Sequence, residues 1–193
     1  MTIGKVILVT VLAAALSIGA AILGQRWLDL ERVKSPSHVR GAGTLQSLPD
    51  FQLPDLTGRQ IASNTWAGKV LVLNFWATWC PPCRRELPLF VEVQKRYGTT
   101  DLQVVGIAID AKDDVAGYLS QHPVDYPILI GDTQAIELAR QLGDRLEGLP
   151  FTVIFDRFGK RTYSQVGEVT HSILQEHLTP LLPDRARVRT STN

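Results

Sequence analysis

The sequence predicts an α/β fold organised as one domain behind an apolar N-terminal segment. Three observations carry that expectation. Val70-Leu71-Val72-Leu73-Asn74, a buried-strand pattern, runs into Trp79-Cys80-Pro81-Pro82-Cys83 and then into Leu87, Leu89, Phe90, Val93 and Tyr97 at helical spacing. Downstream, apolar strands alternate with amphipathic helices, which implies βαβ units and a largely parallel arrangement. Upstream, residues 48–61 read as two short strands around an Asp-x-x-Gly turn, Asp55 to Gly58.

In chain order, residues 1–25 come first. Val6 to Gly24 contains no charged residue and approaches the roughly 20 residues that span a bilayer. Two readings compete, a cleaved signal peptide and an uncleaved signal anchor. A signal peptide has a shorter apolar region, about 7–15 residues, and a small-residue cleavage site. Here the stretch is longer, no clear Ala-x-Ala ends it, and Gln25-Arg26-Trp27 adds a charge and an interfacial aromatic. The transmembrane anchor is the favoured reading. Lys5 on one side against Arg26, Arg32, Lys34 and Arg40 on the other argues for a cytoplasmic C-terminal domain by the positive-inside rule.

Residues 26–47 mix charge, Ser, Gly and one Pro without apolar periodicity and read as a linker. Residues 48–182 are the expected domain, about 135 residues long. Within it, Ser63 or Asn64 is expected to cap a helical turn through Trp66. Residues 102–109 form a second buried strand, and Asp113 begins a helix with Val115, Tyr118 and Leu119 on one face, ending near His122-Pro123. Ile128-Leu129-Ile130 is a short strand, and residues 134–142 are helical, with Ile136, Ala139 and Arg140 setting the faces. Asp156-Arg157-Phe158-Gly159-Lys160 is a hairpin turn joining strands at 152–155 and 161–166. Thr170 caps a last helix whose apolar face is Ile173, Leu174, Leu178 and Leu181. Residues 183–193, with Arg185, Arg187 and Arg189, are a basic tail expected to be disordered.

Composition excludes several functions. A net charge of +1 makes no case for a nucleic-acid or acidic partner. Both cysteines of the chain lie in one motif, so there is no structural disulfide framework. A structural zinc site needs two more ligands than Cys80 and Cys83, and His38, His122, His171 and His177 show no matching pair spacing. These histidines read as solvated or packing side chains.

The motif itself carries chemistry. Pro81 and Pro82 are tolerated only in the first turn of a helix, which puts Cys80 at or just before its start. Free N–H groups and the helix dipole there favour an anion, so the Cys80 thiolate should form near neutral pH. The two-residue spacing brings both sulfurs to one face, close enough for a small disulfide ring. Cys80 then attacks a substrate disulfide and Cys83 resolves the mixed disulfide.

Asn74-Phe75-Trp76-Ala77-Thr78-Trp79-Cys80-Pro81-Pro82-Cys83-Arg84-Arg85-Glu86-Leu87-Pro88 resembles the active site of the TlpA/ResA/DsbE-like branch of the thioredoxin superfamily, membrane-anchored extracytoplasmic thiol–disulfide oxidoreductases. The likeness covers roughly residues 48–182. It implies a thioredoxin-like fold with an N-terminal β-hairpin and a central αβ insertion, preceded by one N-terminal transmembrane helix. It implies export of the C-terminal domain to the periplasm, against the charge count. Pro150 matches the family's cis-proline, which faces the dithiol and leaves the backbone of Leu149 free to pair with an extended substrate. The residue before that proline is often Thr or another small residue in relatives, so Leu149 is expected to alter substrate preference. Trp79 and Pro81 complete the expected substrate-binding set, with Trp76 and Trp79 as packing and shielding elements.

Proton handling is the remaining question. Thioredoxin carries a buried carboxylate six positions before its first cysteine; here Asn74 stands there, and an amide cannot accept a proton. Glu86, one helical turn beyond Cys83, matches a glutamate that is functional in relatives; the alternative is a solvated carboxylate paired with Arg84 or Arg85. The resemblance implies reduction of disulfide-bearing clients of the cytochrome c maturation or metal-site assembly type, electrons from a membrane thiol donor of the CcdA/DsbD type, and no cofactor or metal. An oxidase or isomerase, and a redox-inactive thiol- or copper-binding module, are the alternatives.

Overall fold

The computed structural model of the chain describes residues 44–98 and 101–182. The anchor expected over 1–25, most of the linker and the tail over 183–193 lie outside the described residues. Among those described, no helix is long and apolar enough to cross a membrane.

Two short strands, β1 (Gln52–Pro54) and β2 (Gln60–Ala62), form the expected antiparallel hairpin. Its turn is closed by Asp55, whose Oδ1 accepts from the backbone N–H groups of Thr57 and Arg59. A five-stranded sheet follows in the order β5-β4-β3-β6-β7, with β3 (Val70–Trp76), β4 (Leu102–Ile109), β5 (Ile128–Gly131), β6 (Phe151–Phe155) and β7 (Arg161–Val166). Strands β3, β4 and β5 are parallel, as βαβ alternation demands. Strand β7 pairs antiparallel with β6, as the expected hairpin requires, and β6 in turn pairs antiparallel with β3.

Among the described residues, four α-helices cover the sheet: α1 (Pro81–Tyr97), α2 (Lys112–Gln121), α3 (Thr133–Leu142) and α4 (His171–Leu178). Val70, Val72 and Trp76 pack with Leu87, Phe90 and Val93 of α1, Val115 of α2, and Leu174 and Leu178 of α4. Leu71, Leu73 and Phe75 pack on the other face with Ala135, Leu138, Ala139 and Leu142 of α3, and with Leu53 and Trp66. Every residue of β3 is therefore buried, because both faces of the strand are covered. The inserted helix and strand expected between the motif and Pro150 are present, with β5 on the sheet edge.

Local readings differ from expectation at four places. The turn at Ser63–Trp66 is a 3-10 helix without a side-chain cap, because the Ser63 hydroxyl instead accepts from the Phe51 N–H across the hairpin. Helix α2 begins at Lys112, one residue before Asp113, and only Val115 on it is fully buried. On α3 the buried stripe is Ala135, Leu138, Ala139 and Leu142; Ile136 is half-buried and Arg140 exposed. Residues 44–47, read as linker, belong to the domain edge: Leu45 N–H donates to Gln141, and Gln46 C=O accepts from Arg161 N–H. Thr170 caps α4 as expected, its hydroxyl accepting from Ile173 N–H.

Candidate active site at the Cys80–Cys83 disulfide

Cys80 is the N-cap of α1, with extended backbone, and Pro81 and Pro82 occupy the first helical positions. Proline fits there because its missing N–H is one that the first turn leaves unpaired anyway. Cys80 and Cys83 are joined as a disulfide, with Cα atoms 5.3 Å apart. The Cys83 N–H donates to Cys80 Sγ at 3.3 Å, so a helix-start amide already faces the sulfur that would carry negative charge on reduction. Both residues are buried, Cys83 completely and Cys80 with 3% exposure.

One helical turn beyond Cys83, Glu86 anchors a buried polar cluster. Glu86 is 2% exposed, not the solvated carboxylate of the alternative reading, and Arg85 pairs instead with Glu168. Its Oε1 accepts from Asn74 Nδ2 at 2.7 Å and its Oε2 from Val169 N–H at 3.0 Å. Asn74 also donates to Thr152 Oγ1 at 3.2 Å, its register partner on β6. Burial pushes the Glu86 carboxyl up to about 7, with the Val169 and Asn74 donors opposing and the Glu168 charge adding to the rise. A carboxyl with that affinity exchanges protons at neutral pH.

The rim is apolar. Trp79 is 65% exposed and so does not pack into the core as expected, whereas Trp76 is fully buried. Pro81 lies exposed at the helix start. The Leu149–Pro150 peptide bond is cis, and Phe151 pairs with Phe75, which sets this bond at the same end of the sheet as the motif. Leu149 packs into the same apolar cluster as Cys80 and Cys83.

Three supporting carboxylates escaped the sequence reading. Asp110, at the end of β4, accepts from Thr78 N–H at 2.9 Å and Thr78 Oγ1 at 2.5 Å, which fixes the loop leading into Cys80. Glu168 receives a two-pronged contact from Arg85, bracing the backbone that donates to Glu86. Asp144, buried, accepts from Gly148 N–H and holds the approach to Leu149. Asp110 alone had a local signal: an acidic residue just past a buried parallel strand, at the end where the motif loop emerges.

A disulfide on a helix start, backed by a buried titratable carboxyl and flanked by an apolar rim, defines a thiol–disulfide oxidoreductase. The family model described as Redoxin matches residues 44–178. ResA of Bacillus thuringiensis (strain Al Hakam), a thiol-disulfide oxidoreductase, is 30% identical over 136 residues, 70% of this chain and 76% of that protein. A thiol:disulfide interchange protein of Chlorobium tepidum TLS superposes with a TM-score of 0.65 at 28% identity, covering 72% of this chain and 97% of the other. A secreted thiol-disulfide isomerase of Corynebacterium glutamicum gives 0.61 at 27% identity, over 69% and 84%. The chain belongs to the Redoxin family, in the TlpA/ResA/DsbE-like branch of the thioredoxin superfamily.

Proposed function

We propose that the chain is an extracytoplasmic protein-disulfide reductase in which Cys80 attacks, Cys83 resolves and Glu86 handles the proton. The observation that carries this reading is the Cys83 N–H directed at Cys80 Sγ from the start of α1. The reduced enzyme meets a client disulfide, and the Cys80 thiolate attacks one sulfur. The client S–S bond breaks, a mixed disulfide forms, and the leaving client thiolate takes up a proton. Cys83 then passes its proton to Glu86 and attacks Cys80 Sγ, releasing the second client sulfur as a thiolate that is protonated in turn. The client has gained two electrons, and the enzyme returns to the Cys80–Cys83 disulfide.

Leu149 and Pro150 offer an extended backbone edge to the client, while Trp79 and Pro81 form the exposed apolar lip beside it. The apolar stretch at residues 6–24 anchors the domain to the inner membrane and sets it in the periplasm; the secreted Corynebacterium relative supports that side. A membrane thiol carrier of the CcdA/DsbD type restores the dithiol, and clients are of the cytochrome c maturation or metal-site assembly type. The isomerase relative favours a second reading, disulfide isomerisation.

Trapping tests the assignment. Cys83→Ser should accumulate a client mixed disulfide on Cys80, detected by mass spectrometry, whereas Cys80→Ser should accumulate none. The reverse pattern overturns the roles. Equilibration against dithiothreitol and glutathione separates reductase from oxidase: a reductase stays oxidised in glutathione buffers that reduce an oxidase.

A further inference from the structure

Among the described residues, three buried side-chain polar atoms have no protein partner: Asn74 Oδ1, Trp76 Nε1 and Tyr126 Oη. Buried polar groups are nearly always paired, so three together require an account. Their chemistry is complementary. Asn74 Oδ1 only accepts, Trp76 Nε1 only donates, and the Tyr126 hydroxyl does either.

Their placement is complementary as well. Gly106 lies beside Asn74 in the parallel register of β3 and β4. A Cβ at Gly106 would meet Ile128 Cδ1 at 2.6 Å, Trp76 Nε1 at 3.1 Å and Tyr126 Cε2 at 3.4 Å, which places the indole nitrogen and the phenol ring on the sheet beside this glycine. Asn74 Nδ2 is turned toward Thr152 on β6 and toward Glu86. Its Oδ1 is the atom of that amide left without a protein partner.

We propose that Trp76, Tyr126 and Asn74 enclose a binding site for ordered water, which accepts from Trp76, donates to Asn74 Oδ1 and is anchored by Tyr126. The water fixes the Asn74 amide with Nδ2 toward Glu86. Tyr126 is thus a positioning residue for the carboxylate, acting through Asn74. Only the catalytic consequence rests on the proposed role of Glu86; the site itself does not. The other groups acting on the pair are Glu168 on Glu86, and Asp125 and Tyr118 on Tyr126, together with the two thiols after reduction.

The test uses the full-length chain, isotope-labelled in detergent micelles, and follows the Glu86 carboxyl carbon through a pH titration by NMR. Tyr126→Phe keeps the ring and removes the hydroxyl. Asn74 then holds its orientation less firmly, its donation to Glu86 weakens, and the midpoint should rise by several tenths to about one pH unit. In an Asn74→Ala background the same substitution should do nothing further, since the amide through which it acts is gone. The Trp76 indole proton should show a water cross-peak in the wild type that fades in Tyr126→Phe. Superimposable titrations, with a Tyr126→Phe protein more stable than wild type, overturn the proposal, because that is how an unpartnered hydroxyl behaves. A shift that persists in the Asn74→Ala background overturns it too. Failure of the catalytic role of Glu86 is read separately, from redox potentials.

Discussion

The two faces of β3 are built to different rules. Toward α3 the strand presents Leu71, Leu73 and Phe75, which join Ile107, Val153 and Phe155 in one apolar cluster. Toward α1 it presents Val70, Val72 and Trp76, but also Asn74, which with Thr152 and Glu86 sets hydrogen-bonding groups into the core. Alternation along one strand thus separates a layer that holds the fold from a layer that serves the disulfide. Burial strengthens both, but on the second face it also raises the proton affinity of Glu86.

The largest expected effect breaks the apolar face. Phe75 is fully buried and lies near Phe151, ring centroids 5.7 Å apart. Phe75→Ala should cost about 3–5 kcal/mol in urea unfolding, while any molecules still folded keep the wild-type redox equilibrium. A changed equilibrium would show that the two faces are coupled.

Glu86 sharpens the contrast from the other side. Its carboxyl rises from 4.5 to about 7 in the folded chain, so the folded state holds the proton more tightly than the unfolded one. Stability from this group is complete below pH 4.5 and is lost as pH rises through about 7. The total is about 3 kcal/mol for a shift of this size. Glu86→Gln should flatten the stability profile of the oxidised protein between those limits. A profile that keeps its slope would assign the slope to other groups.

Smaller effects belong to the supports. Asp110→Ala removes the acceptor of two hydrogen bonds from Thr78 and should cost about 1–3 kcal/mol, and should loosen the motif loop, seen as faster hydrogen exchange at Thr78 and Cys80. Arg85→Gln, breaking an exposed pair with Glu168, should change stability by less than about 1 kcal/mol.

The same contrast governs what could be read without coordinates. The motif at the strand–helix junction, the hairpin and the apolar stripes were legible because each rests on local spacing: period two, period 3.6, or proline in a first turn. Glu86 was legible as a position but not as a buried group, since its burial depends on Val169, far along the chain. Asp110, Glu168 and Asp144 were missed for a related reason. Each is an ordinary surface-type residue whose role comes from a backbone or side chain that only the sheet topology brings near. Trp79 was misread in the opposite sense, because an aromatic beside the motif looks the same in sequence whether it packs or stands at the lip.

The central claim is that Glu86 sits close enough to the dithiol for its charge to set the energetics of exchange. The direct measurement is the reduction potential of wild type and Glu86→Gln at pH 5.5 and pH 8.5. Ionised Glu86 opposes the Cys80 thiolate, so removing its charge should lower the thiol pKa and make the couple more oxidising, by about 30 mV for a tenfold change in a two-electron couple. That gap should be present at pH 8.5 and nearly absent at pH 5.5, where the wild-type carboxyl is protonated. Equal potentials at both values, or a gap that does not change with pH, would contradict it.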